Sequence, residues 1–218
     1  YFRLNCLFHM GNRSCNNSND IARSHRPIMR LIAYLLMLLL SGPTLAIETP
    51  DFEVIGEIED KVQIRQYDRF TLVKVARGDL KDGSDNQLFR PLADYIFGNN
   101  VREEKIAMTA PVAQTMVGGQ AQDMAFFLPK ALANPPQPKN KDISLIDGEM
   151  IVAVLRYRGG WSVKKFENAK LELQRKLSSQ KEWRVVGDPI WARYNSPFSV
   201  PAFRTNEVMI PVEKNHES

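Results

Sequence analysis

Cysteine and histidine are nearly absent from this chain of 218 residues, and neither occurs between positions 47 and 212. The few that exist lie outside that span: Cys6, Cys15, His9, His25 and His216. Residues 47–212 therefore cannot form a disulfide or a zinc site made of histidine and cysteine ligands. They also cannot supply a Ser-His-Asp or Cys-His catalytic arrangement. These absences exclude the usual hydrolase and zinc chemistries, so no catalytic residue and no metal ligand is predicted.

A basic surface is also missing from most of the chain, although the net charge is +4. Five arginines and one acidic residue precede Ile47, which leaves 24 basic and 24 acidic residues from Ile47 onward. Nucleic-acid binding usually requires an excess of basic residues on one face of a domain. No nucleic-acid partner is therefore expected.

The longest hydrophobic run, LIAYLLMLLL at 31–40, is too short to cross a bilayer, which takes about 20 residues. It follows Met29-Arg30 and is followed by a Gly-Pro break and small residues that end at Ala46. This arrangement is typical of a secretory signal peptide. We expect residues 29–46 to be removed, leaving a protein without a stable membrane anchor, in the periplasm of a diderm bacterium or otherwise secreted. The polar residues 1–28 are expected to be disordered or not part of the native protein.

The first part of the remaining sequence predicts strands and one helix. Alternating apolar residues predict a hairpin made of strands 62–67 and 70–78. Helical spacing predicts a helix over 84–98, and Pro91 is expected in its first turn, so that the helix proper begins near Phe89. The other predicted strands of this part are 105–116 and 124–129.

The second part repeats this order after a linker rich in proline and lysine, residues 130–142. It predicts strands within 143–160 and a helix over 162–180. The expected apolar stripe of this helix is Val163, Phe166, Leu173 and Leu177. The closing strands are expected at 188–195 and 206–212.

A constant offset of 82 residues relates the two parts, from Gly78 to Gly160 and from Pro129 to Pro211. We interpret residues 47–218 as one domain made of two pseudo-repeats, about 52–129 and 143–212. Each repeat is a β-hairpin–helix–hairpin motif. The predicted class is α+β, a distorted antiparallel β-barrel or single antiparallel sheet with two helices.

The stretch KIAMTAPV, residues 105–112, allows two interpretations. In a strand, Ile106, Met108 and Ala110 would share one face, and small residues would occupy the other. The stretch is then either a packed core strand or a shallow apolar wall for a flat ligand. In the second case Met108 would be a polarizable contact.

Several motifs together resemble the SOUL haem-binding protein family over about Phe52 to Val212. The motifs are FRPLADYIFGNN, EEKIAMTAPV, FFLP, ARYNSPF and RTNEVMIPV. The resemblance implies a distorted β-barrel with two helices and a duplicated motif, in agreement with the pattern above. It also implies that haem or another porphyrin binds in a surface groove between the first helix and the loop before the last strand.

Carried over by position, the resemblance implies a set of groove residues. Together with Met108, they are Phe89, Leu92, Ala93, Ile96, Phe198, Val200, Phe203 and Arg204. Arg204 is a candidate partner for haem propionates, whereas Arg90 and Arg193 are interpreted as solvated charges. Without a histidine in the domain, haem is expected to be held non-covalently and reversibly, by a monomeric carrier that is not an enzyme.

Two other functions stay open at this point. The fold resembles that of modules that bind cationic amphipathic molecules around a buried acid, and Glu207 is the candidate acid. An enzyme acting on a tetrapyrrole or another apolar substrate could use Glu207, Tyr157 and Tyr194 for acid–base chemistry.

Overall fold

A computed structural model describes residues 47–59, 61–79 and 85–215. The predicted signal peptide, residues 29–46, and His216 lie outside the described residues. Within these ranges the chain forms nine strands and two α-helices. The strands are β1 (Glu53–Ile58), β2 (Val62–Ala76), β3 (Val112–Val117), β4 (Gln120–Ala121), β5 (Asp123–Phe127), β6 (Ile143–Arg158), β7 (Trp183–Val185), β8 (Ile190–Arg193) and β9 (Thr205–Lys214). The helices are α1 (Asp85–Ile96) and α2 (Val163–Ser178).

Six of the strands close into an antiparallel barrel in the order β2-β5-β3-β8-β9-β6, and β6 pairs back with β2. The other strands extend this barrel: β1 pairs with β2, β4 with β3 and β7 with β9. This architecture confirms the predicted α+β class and distorted barrel. Neither helix of the described residues is long and apolar enough to cross a membrane.

Two long strands, β2 and β6, form the widest pairing of the barrel, from Val62↔Leu155 to Val75↔Ile143. The predicted hairpin of 62–67 and 70–78 is therefore wrong, because both segments belong to the single strand β2. The register shifts between Tyr67 and Phe70, where a β-bulge replaces the expected turn. The polar pair Asp68-Arg69 was consistent with a turn, but pairing with β6 continues on both sides of it.

Helix α1 begins at Asp85, so Pro91 lies in its interior and not in its first turn as predicted. Proline removes one backbone hydrogen bond from a helix interior and usually disfavours it strongly. Burial offsets that cost here, because Leu88, Leu92, Tyr95 and Ile96 are all enclosed in the core.

The stretch KIAMTAPV is not a strand before Val112, so the prediction of a strand over 105–116 is wrong in its first half. Its backbone bonds elsewhere: the Ile106 N–H donates to the Ile96 carbonyl at 2.8 Å and the Ala110 N–H to the Glu48 carbonyl at 2.8 Å. Ile106 and Ala110 are buried and Met108 is exposed. Pro111 cannot donate to a ladder, which explains why β3 begins only after it.

The core has an outer and an inner part. The helices cover the outer face of the barrel, where Phe166 of α2 stacks on Trp191 of β8 with ring centroids 5.3 Å apart. Three members of the predicted α2 stripe, Phe166, Leu173 and Leu177, are buried, but Val163 is exposed at the first turn. The inner cluster is smaller and consists of Tyr67, Val152, Val154, Ala192 and Met209.

Two leucines of α2 test the contribution of this packing. Leu173 is fully buried, whereas Leu171 is 60% exposed on the same helix. We expect Leu173→Ala to lower the free energy of unfolding by about 2–5 kcal/mol and Leu171→Ala to change it by less than about 0.5 kcal/mol. Urea denaturation measures both. Equal effects of the two substitutions would contradict the packing described.

Candidate functional site

A row of side chains crosses the outer face from α1 to the end of β8. Phe126, Val112 and Arg193 are directly paired across β5, β3 and β8, so their side chains point to the same face. Phe89 of α1 contacts Phe126 edge-on, with ring centroids 5.4 Å apart. The row therefore connects the exposed edge of α1 with the loop that follows β8.

That loop, residues 194–204, presents large apolar side chains to solvent. Phe198 is 97% exposed, Phe203 71% and Val200 59%. Arg204 holds the loop together, because its Nε donates to the Ser199 carbonyl at 3.0 Å and its Nη2 to the Pro197 carbonyl at 2.6 Å. A cluster of exposed apolar side chains often marks a site of interaction.

Two guanidinium groups flank one indole beside this loop. The Arg204 guanidinium lies 4.4 Å and the Arg193 guanidinium 4.9 Å from the centre of the Trp161 ring. Within the described ranges, neither arginine has a carboxylate within ion-pair distance. Two positive charges without an acidic partner favour an anionic ligand.

Three buried hydrogen-bond donors lie in the same place without partners among the described residues: Arg193 Nε, Trp161 Nε1 and the Tyr157 hydroxyl. Burial lowers the pKa of Arg193 and raises the pKa of Tyr157. The charge of Asp85 acts on Arg193, but Asp85 itself bonds Arg77 at 3.2 Å. Unpaired buried donors are rare in proteins, so this group is a candidate receptor for carboxylate oxygens.

The other predicted groove residues are distributed between surface and core. Phe89 and Met108 are partly exposed and Arg90 is exposed. Leu92, Ala93 and Ile96 lie in the core, with exposed fractions of 0%, 9% and 2%. Of the α1 positions, Phe89 is therefore the one that offers apolar surface beside the row.

Sequence reasoning treated Arg193 as a solvated charge, considered Tyr157 only for acid–base chemistry in an enzyme, and assigned no role to Trp161. The alternation of Trp191 and Arg193 in β8 places both on the face that α2 covers, and this pattern is visible in the sequence. Whether Arg193 has a carboxylate partner depends on the tertiary structure, so no sequence pattern could reveal it.

Glu207 has a different environment inside the barrel. It is fully buried and bonds Arg65 at 3.0 and 3.1 Å, Arg156 at 2.8 Å and the Tyr194 hydroxyl at 2.6 Å. Burial alone would raise the pKa of Glu207, but hydrogen bonds from Arg65, Tyr194 and Arg156 and the charge of Arg65 outweigh it and lower the pKa. Glu207 is therefore not an unpaired acid that awaits a cation.

The described residues contain no group of three or more acidic, histidine or cysteine side chains placed to hold a metal ion. The exposed aromatics fit a ring, and the two unpaired arginines fit a dicarboxylate.

An exposed apolar loop beside unpaired cations, on a small barrel, defines a candidate small-molecule binding surface. The model of the SOUL heme-binding protein family matches residues 47–211, and the chain belongs to that family. It is similar to heme-binding protein 2 of Mus musculus, with 29% identity over 79% of this chain and 89% of the relative. Heme-binding protein 2 of Homo sapiens is 29% identical over 78% and 88%, respectively.

Among solved structures, the crystal structure of the EcmrR C-terminal domain superposes with a TM-score of 0.51 at 12% identity. The match covers 71% of this chain and 98% of that domain. At this identity the likeness concerns the fold alone.

The Glu207 network gives a stability prediction. Glu207→Gln leaves Arg65 buried without a counter-charge, so we expect the free energy of unfolding to fall by about 3–5 kcal/mol. Because the pKa of Glu207 is lowered in the folded state, its contribution is present above its ordinary value of 4.5 and is lost as the pH falls below it. The wild-type protein should lose more stability upon acidification than the variant.

Glu213→Gln is the matched control for that substitution. Glu213 lies on the same strand and pairs with Arg184, but both side chains are largely exposed. Its removal should cost less than about 1 kcal/mol. Denaturation by urea over a range of pH measures both variants, and identical acid profiles of Glu207→Gln and wild type would disprove the assignment.

Proposed function

We propose that this protein binds haem or another tetrapyrrole reversibly at the surface formed by Phe89, the 194–204 loop and the arginines beside Trp161. One observation carries the proposal: two guanidinium groups that have no acidic partner among the described residues adjoin a loop with three exposed apolar side chains. Membership of the SOUL heme-binding protein family and the chain's similarity to heme-binding protein 2 support the choice of ligand.

Each part of the surface has a separate task in this proposal. Phe198, Val200 and Phe203 cover a face of the ring, and burial of apolar area contributes roughly 25 cal/mol per Å² before association costs. Arg204, Arg193 and the unpaired donors of Trp161 and Tyr157 receive the carboxylates. Charge-assisted hydrogen bonds of this kind are about twice as strong as neutral ones.

Binding without a histidine ligand is expected to be non-covalent and reversible, as suits a monomeric carrier. The enzyme alternative has less support. Tyr194 and Glu207 are bonded to each other inside the barrel. Burial raises the pKa of Tyr157, which keeps its hydroxyl protonated and makes it a donor and not a base.

Absorbance titration of the purified protein tests the function. We expect hemin and iron-free protoporphyrin to saturate near one equivalent with similar affinities, because neither the proposed contacts nor the carboxylates involve iron. The dimethyl ester of protoporphyrin should bind about ten- to hundredfold more weakly, since a lost charge-assisted bond costs about 1.5–3 kcal/mol. Absence of saturable binding by every porphyrin would refute the proposal, and saturation by hemin alone would require an iron ligand.

Variants of the same surface locate the site. The double substitution Phe198→Asp and Phe203→Asp should weaken porphyrin binding about ten- to hundredfold through lost apolar contact, while Leu171→Asp, at a position on α2 that is also exposed, should not. Arg193→Gln should weaken binding of the free acid and leave the dimethyl ester unaffected. Because both ligands are measured on the same variant, a general folding defect would be visible as loss of both.

We propose further that the protein acts after export. The support is the sequence of residues 29–46, which has the parts of a secretory signal peptide. Expression of the whole chain in its host, followed by N-terminal sequencing of the mature protein, should give Ile47 as the first residue. Recovery of a mature chain that keeps residues 31–40 would contradict export with cleavage.

A further inference from the structure

A second surface, unrelated to the 194–204 loop, forms a large cleft at another part of the barrel. Its volume is about 1050 Å³. Four segments and Thr109 line it: 48–53 before and within β1, the bulge region 66–71 of β2, residues 127–133 at and after the end of β5, and 147–149 of β6. None of the residues implicated in porphyrin binding above belongs to this lining.

The cleft is acidic, although the domain as a whole is formally neutral. Its lining contains two basic residues, Arg69 and Lys130, and six acids, for a formal charge of −4. The acids are Glu48, Asp51, Glu53, Asp68, Asp147 and Glu149. A concave surface of one charge sign concentrates ligands of the opposite sign.

Most of these carboxylates are not neutralised. Among the described residues, Asp51 is the one acid of the cleft with a cation within ion-pair distance, Lys130 at 2.5 Å. Asp147 accepts a hydrogen bond from the Thr71 hydroxyl at 2.5 Å and Asp68 one from the Gln66 amide at 2.6 Å, both neutral donors. The negative charge of the rim therefore stays available to a ligand.

Three aromatic residues, Phe52, Phe70 and Phe127, belong to the lining of the same cleft, and Phe127 is almost fully buried. Phe70 and Phe127 contact edge-on at 5.5 Å, and Tyr67 links Phe127 to Phe52 with centroid distances of 6.4 and 5.4 Å. The ring of Phe52 already holds the Arg65 guanidinium at 4.2 Å. Gly148 makes room for this arrangement, since a Cβ there would lie 3.2 Å from the Phe70 ring.

We propose that this cleft binds a cationic, planar aromatic small molecule, with the ring against Phe52 and Phe70 and the positive charge facing the acidic rim. Aromatic faces attract cations and stack with planar ligands, while the rim repels anions such as porphyrin carboxylates. The occupant of this site is thus opposite in charge to the ligand proposed for the 194–204 loop. Cation binding belongs to the cleft and not to Glu207, which lies behind Phe52 and is neutralised by its own arginines.

Three probes of nearly the same shape test this inference: N-methylacridinium, neutral acridine and acridine-9-carboxylate. Fluorescence titrations of the purified protein are carried out at a pH where acridine is uncharged. We expect N-methylacridinium to saturate near one equivalent and to bind at least about tenfold more tightly than the carboxylate, with affinity that falls as salt is added. Equal affinities of the three probes would overturn the proposal.

Paired substitutions locate the binding. Glu53→Gln with Glu149→Gln should weaken N-methylacridinium about five- to tenfold, because two unpaired charges of the rim are lost. Glu182→Gln with Glu213→Gln, a change of the same charge on exposed ion pairs elsewhere, should have no effect. Loss of binding in the control pair, or no loss in the cleft pair, would overturn the assignment.

Porphyrin titrations of the same variants separate this inference from the proposed function. The cleft variants should bind hemin as the wild type does, and the Phe198→Asp/Phe203→Asp variant should bind N-methylacridinium as the wild type does. If the loop variant loses N-methylacridinium, the cation binds at the loop and the cleft proposal fails. If hemin binding alone is absent, the proposed function fails and the cleft proposal stands.

Discussion

The pairing of β2 with β6 is the constraint on which the rest of the molecule depends. Both strands are long, and their contact closes the barrel and separates an inner from an outer face. Inside the barrel, Arg65 and Arg156 pair with the buried Glu207. The helices pack on the outer face, where Phe166 of α2 stacks on Trp191 of β8.

The same pairing produces the acidic cleft. At Asp68 and Arg69 the register of β2 against β6 shifts, so the strand bends and presents its polar residues outward. Phe70 and Tyr67 on either side of the bulge stay against the aromatic cluster. A bulge therefore turns a continuous strand into the wall of a cavity without breaking the barrel, as bulges near binding sites commonly do.

The sequence contained enough local information for the class of fold and for most elements. Alternation identified β8 and β9, and the stripe of α2 was right at Phe166, Leu173 and Leu177. The wrong predictions concern features that depend on contacts with residues distant in the sequence. Pro91 is tolerated because the helix is buried, and Asp68-Arg69 is not a turn because β6 pairs beyond it. Lys105–Pro111 is not a strand because its backbone groups bond to Ile96 and Glu48.

The site was harder to predict from the sequence than the fold, because it too depends on contacts between distant residues. The resemblance to the SOUL family, carried over by position, pointed to Phe198, Val200 and Phe203 of the loop. Neither the resemblance nor the sequence pattern could show that, within the described residues, Arg193 has no carboxylate at ion-pair distance while Glu207 has two arginines, because both facts depend on which strands become neighbours.

The lack of histidine between residues 47 and 212 bears directly on the proposed function. A coordinate bond to iron would hold a haem strongly whatever the fit of its edge, whereas the proposed binding depends on ring contact and on carboxylate pairing. Both proposed contributions depend on the periphery of the ligand, so we expect selection by shape and charge and not by the metal. The two proposals together assign anionic flat ligands to the 194–204 loop and cationic flat ligands to the cleft, so that the barrel would sort them by the sign of their charge.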